Sequence, residues 1–225
     1  MIGTETAAMV CGLVGLVAVV SAVVALRVLP EPATDEPGSE DKPSYRALLQ
    51  PWFLIMVGVW AVALTAVAAW RLDPTLWPAW LVLATIGTVL AMIDAATTWL
   101  PNALMRLFWL AMALSAVTSA GLGGGWTVVA RIAAGSVAWG LLFWLVWAVS
   151  RRQLGFGDVR LAFGLGAAAG AAGWVTIYTC LLAGTLVGAG WGLIHRLRSG
   201  RRPGPFPYGM ALFLGCGLGL ALTPA

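Results

Sequence analysis

Apolar runs of about twenty residues recur from one end of this chain to the other, and that recurrence leaves few folds open. A helix needs roughly 20 residues to cross a hydrocarbon core ~30 Å thick, and in lipid every backbone N–H and C=O must be satisfied within the structure. Eight runs are read, at about 7–29, 51–70, 78–95, 104–120, 126–149, 158–175, 176–195 and 207–222. Of 225 residues, 60% are hydrophobic and only 10% charged, too few polar groups to cover a water-soluble domain. The expected fold is all-α, a polytopic integral membrane protein of about eight transmembrane helices forming one membrane domain over 1–225. The first run has Glu5 before it and Arg27 at its far border, the polarity of an anchor with its N-terminus outside and not of a secretory signal.

Between runs one and two lies a stretch at about 30–50 holding Glu31, Asp35, Glu36, Glu40 and Asp41 among prolines. It has no apolar period and reads as a flexible acidic cytoplasmic linker. Other connections are short, such as Gly121–Gly125, and no soluble domain is expected. Basic residues set the orientation, because Lys and Arg near segment ends stay on the cytoplasmic side. Lys42, Arg46, Arg106, Arg151, Arg152, Arg160, Arg196, Arg198, Arg201 and Arg202 fall on the odd-numbered connections, with Arg27 at the border. Arg71 and Arg131 alone fall on the other side. Both termini are therefore expected outside.

After Asp41 the only acids are Asp73, Asp94 and Asp158. Asp73, in Arg71-Leu-Asp-Pro-Thr75, suits a solvated turn. Asp94 and Asp158 stand at the cytoplasmic ends of apolar segments, where an ionisable group is costly, by ~2.5–3.5 kcal/mol at a helix centre and less toward the interface. Asp158 opens a segment, so capping of free N–H groups is a sufficient reason for it taken alone. Asp94 at a helix C-terminal end would face the negative end of the dipole, unless its helix continues toward Trp99. Two lone carboxylates on one membrane face fit a paired acid site. One, ionised, draws a proton from water while the other, protonated, donates to a carbonyl. Gly155 and Gly157 beside one acid would let an extended backbone approach.

The remaining inventory is poor in chemistry. His195, the one histidine, lies in an interfacial His195-Arg-Leu-Arg198 stretch and offers no base to a core serine. Cys11, Cys180 and Cys216 lie singly in apolar runs, from which neither a zinc site nor a disulfide follows. Gly166 with Gly170, Gly184 with Gly188 and Gly215 with Gly219 have the spacing of close helix contacts. Trp52, Trp70, Trp77, Trp80, Trp99, Trp126 and Trp174 fall near segment ends as an aromatic belt.

Gly155-Phe-Gly-Asp158-Val-Arg160-Leu161 resembles the Gly-x-Gly-Asp-x-Lys-Leu signature of the type IV prepilin peptidases, with arginine for lysine. Asp94, followed after five residues by Leu100-Pro101-Asn102, is similar to the upstream motif of that family. Pro207-Tyr208-Gly209-Met210 resembles its Pro-Phe-Gly-Pro element, with Met210 departing from the last proline. The resemblance implies a membrane aspartic endopeptidase that removes the short basic leader of prepilins or pilin-like proteins at the cytoplasmic face. Asp94 and Asp158 would be the catalytic pair, and Gly155, Gly157, Arg160, Pro101 and Asn102 the substrate-side and backbone positions. Many members carry paired Cys-x-x-Cys motifs after the first segment and methylate the new N-terminus. This chain has the acidic linker there, so the resemblance is to the short, peptidase-only form. No metal and no cofactor is expected, the partners being prepilin substrates and membrane lipids, not nucleic acid.

The acidic linker could steer a basic leader, though a solvated spacer is the simpler explanation of it. Two other functions use the same residues. A small proton- or cation-coupled transporter would also place Asp94 and Asp158 in the membrane, but near its midplane and with a repeated half. An inactive assembly protein would keep the motifs without cleavage.

Overall fold

A computed structural model describes residues 4–31, 43–151, 154–199 and 207–224, and among them there is no strand. The helices are α1 (Thr4–Val28), α2 (Pro51–Arg71), α3 (Trp77–Val82), α4 (Thr88–Thr97), α5 (Asn102–Ser119), α6 (Gly125–Val149), α7 (Phe156–Ala172), α8 (Trp174–Ser199) and α9 (Tyr208–Leu222). A π-helical turn, Leu83–Gly87, joins α3 to α4, so Pro74–Thr97 is one helical stretch. The apolar runs of the sequence thus fall on helix among the described residues. Among the described residues, five stretches are long and apolar enough to cross a membrane: Thr4–Val28, Pro51–Arg71, Pro74–Thr97, Asn102–Val149 and Trp174–Leu197. The fourth holds 48 residues and two rods, α5 and α6. Its break comes at Gly121–Gly125, where Gly123 at φ 107° and Gly125 at φ 64° take conformations that side chains oppose.

Burial explains the arrangement. On α1 the buried residues are Val14, Gly15, Ala18, Ala22 and Leu26, a stripe at helical spacing that packs on α2. Leu13, Leu16, Val20 and Val24 point outward, as do Leu107, Leu110, Leu114 and Val117 on α5. An outer surface so apolar suits lipid and not water. By contrast α4 is buried on all sides from Thr88 to Asp94, and nearly every residue of α7 after Asp158 is buried. These two helices form the centre of the bundle.

Small residues allow that centre to close. A Cβ added at Gly135 of α6 or Gly166 of α7 would strike the other's carbonyl oxygen, so the two backbones touch. Gly184 and Gly215 bring α8 and α9 equally close. The contact sets Cys180 beside Cys216, with the Cys180 thiol donating to Cys216 O at 3.3 Å. Two of the three cysteines of the sequence are therefore neighbours, and all three are free.

Two details differ from the sequence reading. Trp77 and Trp80 are not belt anchors: both are buried, and the Trp77 indole donates to Leu72 O at 3.0 Å, because α3 turns inward against α5. Trp52, Trp70, Trp126 and Trp174 do stand exposed. In the 30–50 linker, Glu31 accepts the N–H groups of Tyr45 at 2.8 Å and Arg46 at 3.2 Å. It thereby caps a 3-10 turn, Tyr45–Leu48, whose Tyr45 and Leu48 are buried. Residues 32–42 of that linker lie outside the described residues.

Candidate active site

Asp94 sits one turn from the end of α4, not at its terminus. Thr97 follows, and Thr98 stops the helix in the left-handed region at φ 56°, its N–H bonded to Asp94 O at 2.7 Å. The Thr97 hydroxyl fixes the exit, donating to Ile93 O at 2.8 Å and accepting from Trp99 N–H at 3.1 Å. The chain then turns through Leu100 to Pro101, the N-cap of α5, which is buried while Asn102 is exposed. A left-handed threonine is uncommon, and it stands where one motif must leave the core and the next helix begin.

Asp158 is the third helical residue of α7, with Gly155 as N-cap. Its own N–H bonds Gly155 O at 3.1 Å, and its carboxylate accepts from the Gly155 N–H. That is the reciprocal half of a capping box, so the capping role expected of this residue exists. It is not the carboxylate's whole environment. Gly209 at the start of α9 also presents its N–H to Asp158, and Asp94 acts on Asp158 electrostatically. Met210, one residue on, donates to Asp94 Oδ2 at 3.1 Å.

The two acids thus meet at one place, the N-terminal turn of α9, whose adjacent N–H groups serve one carboxylate each. Helix N-termini carry unsatisfied donors and a partial positive charge, so this turn favours negative charge beside it. Close approach requires glycine: a Cβ on Gly209 would lie 2.8 Å from Asp94 Oδ2 and 2.9 Å from Leu161 Cδ2. Both carboxylates are buried, at 3% and 8% exposure for Asp94 and Asp158.

The other expected positions lie at the starts of α7 and α5. Gly157 takes Leu100 against it, where a Cβ would come within 3.2 Å of Leu100 Cδ1. Arg160 donates to Asn102 Oδ1 and its guanidinium lies 4.9 Å above the Phe156 ring. The Trp109 indole of α5 donates to Arg160 O at 3.0 Å. Arg160 and Asn102 therefore join α7 to α5. Asp73 is exposed in its turn, away from the acids. Tyr208, Gly209 and Met210 are the residues that sequence reasoning did not place at the acids. Their signal was the motif resemblance at Pro207–Met210, which by itself named no contact. Among the described residues no three His, Cys, Asp or Glu side chains are grouped to hold a metal ion.

A family model described as the type IV leader peptidase family matches residues 81–193, a span that includes both Asp94 and Asp158. No curated protein and no solved structure matches the chain. The match covers half of the sequence and both central helices. The chain belongs to the type IV leader peptidase family.

Proposed function

We propose that this protein is a membrane-embedded aspartic endopeptidase that removes the basic leader of type IV prepilins or pilin-like proteins at the cytoplasmic face. The observation that carries this reading is the pair of adjacent N–H groups on α9, from Gly209 and Met210, each directed at one of two buried acids on the two central helices. Two buried carboxylates held at one turn can divide the work between an ionised and a protonated member. The ionised member takes a proton from water, and the oxygen of that water attacks the scissile carbonyl carbon. The protonated member donates to the carbonyl oxygen, giving a neutral tetrahedral species. Its collapse breaks the C–N bond as a proton passes to the leaving amine. Asp94 and Asp158 fill these roles, and the chemistry needs no metal or organic cofactor.

Gly155 and Gly157 keep the backbone beside Asp158 open to an extended substrate, while Pro101, Asn102 and Arg160 hold α5 and α7 in register. The protein forms a single domain crossing the membrane eight times, with both termini outside and the acids on the cytoplasmic side. The family match lends no support to a transporter. The test is incubation of purified protein with a prepilin in detergent or vesicles. Cleavage at the junction of leader and apolar helix is expected, and ion flux with no cleavage would contradict it.

A further inference from the structure

Two apolar troughs open on the sides of the bundle, one on each side of α6. The first, of about 560 Å³, lies between α5 and α6 over Phe163, Gly164 and Ala167 of α7. Through Trp109 and Phe163 it continues to a smaller hollow at Arg160. The second, of about 600 Å³, lies between α6 and α8. Its lining includes Phe143, Val146, Leu154, Leu182, Thr185 and Tyr208.

Helix geometry separates the two. Asp158 and Arg160 are two positions apart on α7, about 200° around its axis, so the first trough follows the face turned from the carboxylate. The second trough has Leu154, the residue before Gly155, in its wall and Tyr208 as another side. Tyr208 immediately precedes the two N–H groups that serve the acids. That ring is fixed from both flanks. Its centroid is 6.1 Å from Phe143 of α6, and a Cβ on Gly188 of α8 would come within 2.6 Å of it.

We infer, resting on the peptidase reading, that the α6–α8 trough receives the apolar helix of the uncut prepilin and leads its leader junction past Tyr208 to the acids. Continuity with the acid site selects this trough over the other. Its walls suit a helix, which has satisfied its own backbone and wants no polar partner. The Thr185 hydroxyl is spent on Leu182 O at 2.9 Å, and Thr179 is engaged with Thr223 at 2.9 Å. Leu182, Val146 and Tyr178 are exposed, which leaves the trough open from the side, where a membrane-borne helix arrives.

The experiment uses the full chain in vesicles and two probes, a prepilin that the protein cleaves and a soluble leader peptide ending a few residues past the cut. A photo-crosslinking amino acid replaces Val146 or Leu182 in one set, and Val129 or Ala133 of the other trough in a second set, with Asp158→Asn to hold the substrate. Prepilin adducts are expected from Val146 and Leu182 alone. In the active protein, Leu182→Trp should raise the KM for prepilin about tenfold, a loss of roughly 1.4 kcal/mol, with kcat unchanged. Cleavage of the short peptide should be unaffected, as should prepilin cleavage by Ala133→Trp. Adducts from Val129 and Ala133, lipid adducts alone from Val146 and Leu182, or an unchanged KM in Leu182→Trp would overturn the inference. Since the short peptide is still cut in each case, the peptidase reading would stand.

Discussion

Met210 donates its backbone N–H to Asp94 Oδ2 at 3.1 Å, a bond between residues 116 positions apart. With Gly209 serving Asp158, it makes the start of α9 the common holder of two acids that ride on separate helices. Removing α9 from this position would leave two buried carboxylates with fewer donors, a costly state in a low-dielectric core.

Gly209→Ala follows directly. The new Cβ would press on Asp94 Oδ2 and Leu161 Cδ2 at 2.8 and 2.9 Å, so the turn must move off the acids. Overpacking of this kind costs about 1–3 kcal/mol, and a displaced carboxylate loses rate as well. Prepilin kcat/KM should fall at least about tenfold with insertion retained. Gly217→Ala, whose Cβ would meet only Leu64 Cδ1 at 3.4 Å, should cleave normally. Equal activities in the two variants would show that the α9 turn does not position the acids.

Arg160 and Asn102 should behave as one unit. Each of Arg160→Ala and Asn102→Ala breaks the same bond between α7 and α5, so the double variant should lose little beyond either single one. A coupling of about 0.5 kcal/mol or more is expected from kcat/KM values of the four proteins. Strict additivity would separate the two residues.

Orientation gives a third expectation. Single cysteines for membrane-impermeant labelling at Ser44 and Arg151 should react from the cytoplasmic side, and those at Asp73 and Gly123 from outside. Labelling of Gly123 and Arg151 from one side would remove α6 as a crossing helix.

A chelator should leave prepilin cleavage unchanged, and S-adenosylmethionine should yield no methylated N-terminus from this chain alone. Zinc recovered in equal amount with the protein, or mass spectrometry showing a methylated product, would reverse that expectation.

Much of this architecture was legible in the sequence because lipid imposes it. Length and apolarity define each rod, and glycine spacing such as Gly166 with Gly170 marks where rods touch. Asp94 and Asp158 stood out because ionisable groups in apolar segments are costly. The α9 turn did not stand out, since a backbone N–H is carried by every residue but proline and its target lay 116 positions away. The pairing of Cys180 with Cys216 and the inward turn of Trp77 and Trp80 were hidden for a related reason: each depends on how rods pack, while periodicity within a rod reports only that one face is covered.

The most direct test of the central claim is prepilin cleavage by Asp94→Asn, Asp158→Asn and the double variant, with Asp73→Asn as reference. Asparagine keeps the shape and an oxygen for the Gly155 and Gly209 N–H groups, so the fold and the cap at α7 should survive. What it removes is the proton that a two-acid mechanism must exchange. Each single variant should insert normally and lose several orders of magnitude in kcat, the double variant little more, and Asp73→Asn nothing. Wild-type cleavage by well-inserted Asp94→Asn or Asp158→Asn would contradict the mechanism and leave these acids as structural partners of α9.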